Sequence, residues 1–242
     1  MSSTSPRKEQ SPAQLWLEAF SHLQRREPTE RRLELARMAD ATRRVIEALV
    51  SAKIPAEEIA QAAKLIEDAA DAVERFPRIS GFAGFSESAN AGDTSLFFDR
   101  SPIIGQENPI APPLHFEPKT ESDGSVVIVG GGRFGAAYEG PPGHVHGGYI
   151  AAAFDEVCGM AQSLSGTPGM TVHLEVDYRK PTPLHTDLRF EGRLLRVEGR
   201  KIFTKGVCLV DGVLTAEASA LFVSVDFSLL AAGFANPGAP SE

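Results

Sequence analysis

The sequence predicts an α+β fold, a curved antiparallel sheet wrapped around one central helix, with an N-terminal helical extension. Three observations predict it. The spacing of apolar residues switches from helical to alternating near Ser125. The alternating stretches follow one another with turn signals between them, Gly199 and the Asp211-Gly212 pair, and Asp-Gly is a strong hairpin signal. Between the first strand and the others lies a helix, from about His146 to Leu164, that is apolar nearly all round and so must be covered on most sides.

Residues 11 to about 76 read as helical, with Leu35, Met38, Val45, Ile46 and Leu49 at helical spacing, and then Ile59, Ala63, Ile66, Ala70 and Val73. Pro55 with Glu57 and Glu58 marks the start of the second helix, the acids lying on its positive end. Ala-rich stripes of this kind predict a helical hairpin packed on something else. Residues 77–124 form a connecting segment rich in Gly, Ser and Pro. Phe82, Phe85, Phe97, Phe98 and Phe116 make it too apolar for a solvated tether, so it should lie across the following domain. That domain is placed at 125–230. Its strands are expected at Val126–Val129, around Val172 to Tyr178, and at Thr186–Val197, Lys201–Val210 and Val213–Phe227. A strand, a long helix and four antiparallel strands make an α+β hotdog arrangement. Residues 231–242 are expected to be a disordered tail.

Composition narrows the function. The 242 residues carry a formal charge of −8, which argues against a general nucleic-acid surface. No apolar run approaches the roughly 20 residues of a membrane span. The start is polar, unlike a secretory signal, and the arginines between Arg25 and Arg44 are mixed with acids, unlike a transit peptide. A cytoplasmic protein is expected. From Arg179 to Lys205 eight basic residues face three acids, a local +5 that reads either as an ordinary solvated strand face or as a site for a phosphate-bearing small molecule. Cys158 and Cys208 have no Cys-x-x-Cys spacing, which excludes a zinc ribbon or a disulfide framework. Cys158 is one turn past Asp155, but small buried filler is the better reading.

The segment 140–159 carries the chemistry. A Gly- and Pro-rich loop runs into a small-residue helix that holds Asp155 and Glu156, and a carboxylate buried among alanines is expensive unless used or paired. Gly147 and Gly148 fall at the first turn, where amides lack intrahelical partners and can hold a developing oxyanion. Asp155 supplies a carboxylate to activate water or attack directly. Gly147 and Asp155 are about 12 Å apart along a helix at 1.5 Å per residue, too far to serve one carbonyl. If both act, Asp155 must come from a second subunit, so the active unit is at least a dimer. Other signals fail. Gly130-x-Gly132-x-x-Gly135 matches a dinucleotide fingerprint on paper but does not open a helix, and reads instead as a bulged, closely approached strand. No Gly-x-Ser-x-Gly elbow occurs. His144 and His146 lack the following acid of a cupin-type metal site, so no metal is expected.

Several ordered motifs then agree. Gly140-Pro141-Pro142-Gly143, His146-Gly147-Gly148 with Asp155, Tyr178-Arg179-Lys180-Pro181-Thr182-Pro183, and Val197-Glu198-Gly199-Arg200-Lys201 together resemble the hotdog acyl-CoA thioesterases of the phenylacetate-pathway type and, more closely, the mitochondrial thioesterase superfamily members. The likeness covers about 125–227 and none of 1–124. It implies hydrolysis of acyl-CoA to free acid and CoA without a cofactor, by a dimer or dimer of dimers. By the resemblance, Asp155 is base or nucleophile, His146, Gly147 and Gly148 form the oxyanion segment, and Thr171 is a helper hydroxyl. Asp177, Arg179, Arg200 and Lys201 would contact CoA. Thr171, Asp177 and Arg179 share strand parity and could face one ligand. The Asn108–Leu114 stretch is a weaker candidate for the acyl pocket. Two other readings stay open: hydratase or dehydratase chemistry using His144, His146 and Asp155, and a non-catalytic acyl-CoA-binding module.

Overall fold

Thr29 opens helix α1 (Glu30–Ser51), its hydroxyl accepting the N–H of Arg32. The computed structural model describes residues 27–77, 98–167 and 169–225, with residues 11, 13, 14, 17 and 18. The helix is fastened to the rest of the chain by polar anchors. The Arg43 guanidinium donates to the carbonyl oxygens of Gly105, Gln106, Asn108 and Ala111 at 2.7–3.3 Å, tying α1 to that loop. After Pro55 comes α2 (Ala56–Glu74), with Glu57 and Glu58 in its first turn as expected. It buries none of its residues, and Ile59, Leu65, Ile66 and Val73 are exposed. The expected packed hairpin is therefore only half realised among the described residues, where α1 has Arg43 and Glu47 to hold it and α2 has no such anchors.

Six strands follow: β1 (His115–Thr120), β2 (Val126–Gly132), β3 (Gly169–Tyr178), β4 (Leu188–Glu198), β5 (Lys201–Val210) and β6 (Val213–Ser224). They form one sheet in the order β1-β2-β4-β5-β6-β3, every neighbouring pair antiparallel. The β4–β5 turn carries Gly199 at φ 59°, and the β5–β6 turn carries Asp211 and Gly212 at φ 48° and 78°, the left-handed pair a tight hairpin requires. β1 is a correction, since the sheet begins at His115, inside the expected connecting segment. Its Pro118 and its Lys and Glu residues hid the strand, and they suit an edge. Phe116 turns inward and meets Phe190 edge-on, at 6.1 Å between ring centroids. Residues 78–97 and 226–242, which include Phe82, Phe85, Phe97, Phe227 and the expected tail, lie outside the described residues.

The central helix, α3 (Gly147–Ser163), crosses from β2 to the far edge strand β3 and lies on the inner face of the sheet. Ile150, Ala153, Phe154, Val157, Cys158 and Ala161 are fully buried there against Ile128, Phe190, Ile202, Cys208, Ala216 and Phe222. Two glycines paired across β4 and β5 let it sit close. A Cβ on Gly192 would stand 2.7 Å from the Val157 carbonyl oxygen, and one on Gly206 2.8 Å from the Phe154 ring. Gly130, Gly131 and Gly132, the fingerprint-like run, have φ near +150° in β2, where Cβ atoms on the first two would strike the carbonyls of His115 and Leu188. The strand is closely approached as read, but its register with both neighbours is unbroken, so there is no bulge.

Candidate active site

The Gly140-Pro141-Pro142-Gly143 turn delivers His146 to the start of α3. Gly140 N–H donates to the His144 carbonyl, His144 N–H to that of Pro141, and Gly143, at φ 75°, gives its N–H to the Glu139 carboxylate at 2.6 Å. His146 then caps the helix: its Nδ1 accepts the Gly148 N–H at 3.0 Å, which leaves the ring proton on Nε2. The two candidate amides thus differ. That of Gly148 is occupied by His146, and that of Gly147 has no acceptor among the described residues. The Gly147 carbonyl accepts the Tyr178 hydroxyl at 2.7 Å, and a Cβ on Gly147 would meet the same ring at 3.2 Å. His144, the other imidazole, turns its Nδ1 to the Pro142 carbonyl at 2.9 Å, away from His146's task.

Two turns along α3 stands Asp155, on the side of the helix facing β3. Its Oδ1 accepts the Thr171 hydroxyl at 2.8 Å, so the structure brings together the two side chains expected to act as one unit. Asp155 is exposed rather than buried among alanines, because α3 lies beside an edge strand there and the sheet does not close over it. The carboxylate taken from water is its neighbour. Burial pushes Glu156 up to about 7, against the pull of the Ser101 hydroxyl that donates to it at 3.2 Å, with the adjacent Asp155 adding to the rise. Ser101 in turn accepts the N–H groups of Ile103 and Ile104, so the segment after residue 98 does lie across the domain. Nothing in the sequence points to that pair, 55 residues apart. Burial pushes Cys158 and Cys208 up to about 11, leaving both as neutral filler.

The four candidate CoA contacts separate into two pairs. Asp177 and Arg179 lie at one end of β3, beside Glu217 of β6, and Arg200 and Lys201 lie at the β4–β5 turn, beside Val223 and Ser224 at the other end of β6. Six residues of β6 separate them, about 20 Å of strand. The shared parity is also corrected. A bulge between Thr171 and His173 adds one residue, so Thr171 joins Leu174, Val176 and Tyr178 on the helix side, and Asp177 faces outward. Most of the local positive charge is spent. Arg179 pairs with Asp177 and Glu217, Arg189 with Glu191, Arg193 with Glu121, Arg196 with Glu198 and Lys205 with Glu217. Lys205 and Arg179 hold the Glu217 carboxyl below its ordinary range. Among the described residues Lys180 and Lys201 have no ion pair, Arg200 donates only to the Ser224 carbonyl, and no helix is long and apolar enough to cross a membrane.

Comparison with known proteins places this geometry. A thioesterase superfamily model matches residues 142–217, from the Pro-Gly of the turn to β6. The acyl-coenzyme A thioesterase THEM4 of Xenopus laevis is 38% identical over 95 residues, spanning 38% of this chain and 42% of the relative. THEM4 of Rattus norvegicus is 38% identical over 96 residues, 38% of this chain and 40% of the relative, so the match spans less than half the length of these curated relatives. A crystal structure of a thioesterase superfamily protein superposes over 78% of this chain and 94% of its own, at 35% identity and a TM-score of 0.63. A likeness that takes in almost the whole of that protein reaches past the shared motifs to the fold around them, and the chain belongs to the thioesterase superfamily.

Proposed function

We propose that this chain hydrolyses acyl-CoA thioesters to free acid and CoA, working as a homodimer with Asp155 as its base. The observation that carries the reading is the Asp155–Thr171 hydrogen bond, which engages one carboxylate oxygen of an exposed side chain beside an edge strand and leaves the other without a partner among the described residues. Asp155 Oδ2 takes a proton from water as the water oxygen bonds to the thioester carbonyl carbon. The resulting oxyanion accepts the unoccupied Gly147 N–H of a partner chain at the positive end of α3. The C–S bond then breaks, and the CoA sulfur leaves with the proton held on Asp155. A partner is needed because the unbroken helix sets Gly147 and Asp155 about 12 Å apart. Lys180, Arg200 and Lys201 are the cations of this region left available to the phosphates of CoA, since Arg179 is already paired with Asp177 and Glu217.

A hydratase would need an imidazole beside the acid. The His146 Nδ1 is spent on capping α3, so this imidazole is not free to act as a base at that nitrogen, which favours hydrolysis. Free-thiol release from short, medium, long and aromatic acyl-CoAs, with wild type against Asp155→Asn, tests the proposal. Turnover should fall by at least about a hundredfold in the variant with CoA binding kept. No thiol release from any substrate by the wild type would sink the reading.

A further inference from the structure

The N-terminal helix reaches the active-site turn through one side chain. Glu47 of α1 lies against the 3-10 turn Ala136–Tyr138, where its carboxylate accepts the N–H of Ala136 at 2.9 Å and of Ala137 at 3.3 Å. These are the orphan donors at the start of a short helix, and no side chain of the turn itself caps them. Gly135 makes room: a Cβ there would stand 2.5 Å from Glu47 Oε2. The turn ends at Tyr138, whose carbonyl accepts the His146 N–H at 2.9 Å. Its hydroxyl donates to the Ile110 carbonyl at 3.0 Å, and its ring packs edge-on against Tyr149 of α3, 4.9 Å between centroids. From Glu47 to the amides that open α3 there is thus an unbroken series of contacts: carboxylate, capped turn, Tyr138 carbonyl, His146, Gly148 N–H.

We propose that Glu47 is a positioning residue for the amide turn at the start of α3, so that the N-terminal extension is a working part of the active site. The role assigned to that turn rests on the thioesterase reading above; the positioning itself does not. With the cap removed, Ala136 and Ala137 lose their acceptor, the turn relaxes, and His146 and the amides of Gly147 and Gly148 lose their fixed direction. Displacement of an oxyanion donor affects the chemical step more than binding.

The test uses the full chain with Glu47→Ala, Glu47→Gln, Gly135→Ala and the double variant Glu47→Ala/Gly135→Ala. Gly135→Ala displaces the free end of a flexible side chain, so it should remove the cap without disturbing the core. Glu47→Ala and Gly135→Ala should each lower kcat by about tenfold, with KM within about twofold and the thermal midpoint little changed. Glu47→Gln, which keeps one acceptor oxygen, should recover part of the loss. The double variant should be no worse than Glu47→Ala, since both remove the same contact. Amide hydrogen exchange gives a readout independent of turnover: His146 and Gly148 should exchange at least about tenfold faster in both single variants, while Val157 is unchanged. Unchanged exchange at His146 and Gly148, additive effects in the double variant, or a kcat loss that tracks a fall in thermal midpoint without recovery by Gln would overturn the proposal. Faster exchange in a chain whose wild type releases no thiol would support the positioning role and count against the thioesterase reading alone.

Discussion

Thr171 holds Asp155 by a single hydrogen bond, and at the residue scale that bond sets which carboxylate oxygen is left for the proposed proton transfer. Replacing Thr171 by Ala leaves Asp155 free to rotate and gives water a second oxygen to approach. Because both groups are exposed, little stability is at stake, and the loss should appear in the rate. Thr171→Ala is expected to lower kcat on the best acyl-CoA by about tenfold or more, with KM nearly unchanged, while Thr171→Ser restores most of it. Equal activity in the three proteins would separate Thr171 from the reaction. The placement of His146, the two glycines and Asp155 along α3 was legible because they lie within one short stretch whose geometry a helix sets. The facing of Thr171 was not legible. Parity fails at the bulge after it, and a bulge is set by how the strand meets its neighbours. Glu47 was less legible still, since its partners are 89 and 90 residues away.

Among the elements, α3 and the segment carrying Ser101 are joined by a carboxyl that ionises well above the usual carboxylate range. Burial raises Glu156 from an ordinary 4.5 to about 7. Below about pH 4.5 the folded and unfolded chains both hold this proton, and the group's full contribution to stability is present. Between there and about 7 the unfolded chain releases the proton first, so it binds fewer protons and stability falls as pH rises; above 7 the loss levels off. The loss from this one group is about 3 kcal/mol at most. Glu156→Gln keeps an oxygen for the Ser101 hydroxyl and cannot ionise. It should flatten the decline between pH 5 and 8 and be the more stable protein at pH 8, as measured by urea unfolding at both values. A variant that declines as steeply as wild type would place the pH sensitivity elsewhere. The helix and the four strands after it were readable from periodicity and the two hairpin turns. β1 was not, because an edge strand with Pro, Lys and Glu lacks the alternating pattern of a half-covered strand. Nor was the Gly192–Gly206 pair, whose purpose appears only when α3 is laid across it.

For the molecule as a whole, the sheet order leaves β3 at an edge, ten residues long, with Met170, Val172 and Tyr178 more than half exposed. Long, apolar edges are rarely left uncovered. The same edge carries Thr171, beside Asp155, and Tyr178, beside Gly147, so whatever covers it comes close to both halves of the proposed site. A second copy placed there would pair Asp155 of one chain with the Gly147 amide of the other, which one chain cannot do for itself across about 12 Å of helix. The arrangement makes a quantitative claim about mixed assemblies. Asp155→Asn and Gly147→Ala chains should each be inactive as homodimers, the second because the added methyl crowds the Tyr178 ring and the oxyanion position. In a mixed dimer one site draws both intact residues, Asp155 from one chain and Gly147 from the other, and the second site draws both defects. Random co-assembly makes half the dimers mixed, each with one working site of two, so co-expression should restore about one quarter of wild-type turnover. Light scattering on the wild type should give at least twice the mass of one chain. Complementation near a quarter requires a shared site; no recovery from a folded, dimeric mixture would place both groups' work within one chain, against the helix geometry, or remove one of them from the reaction.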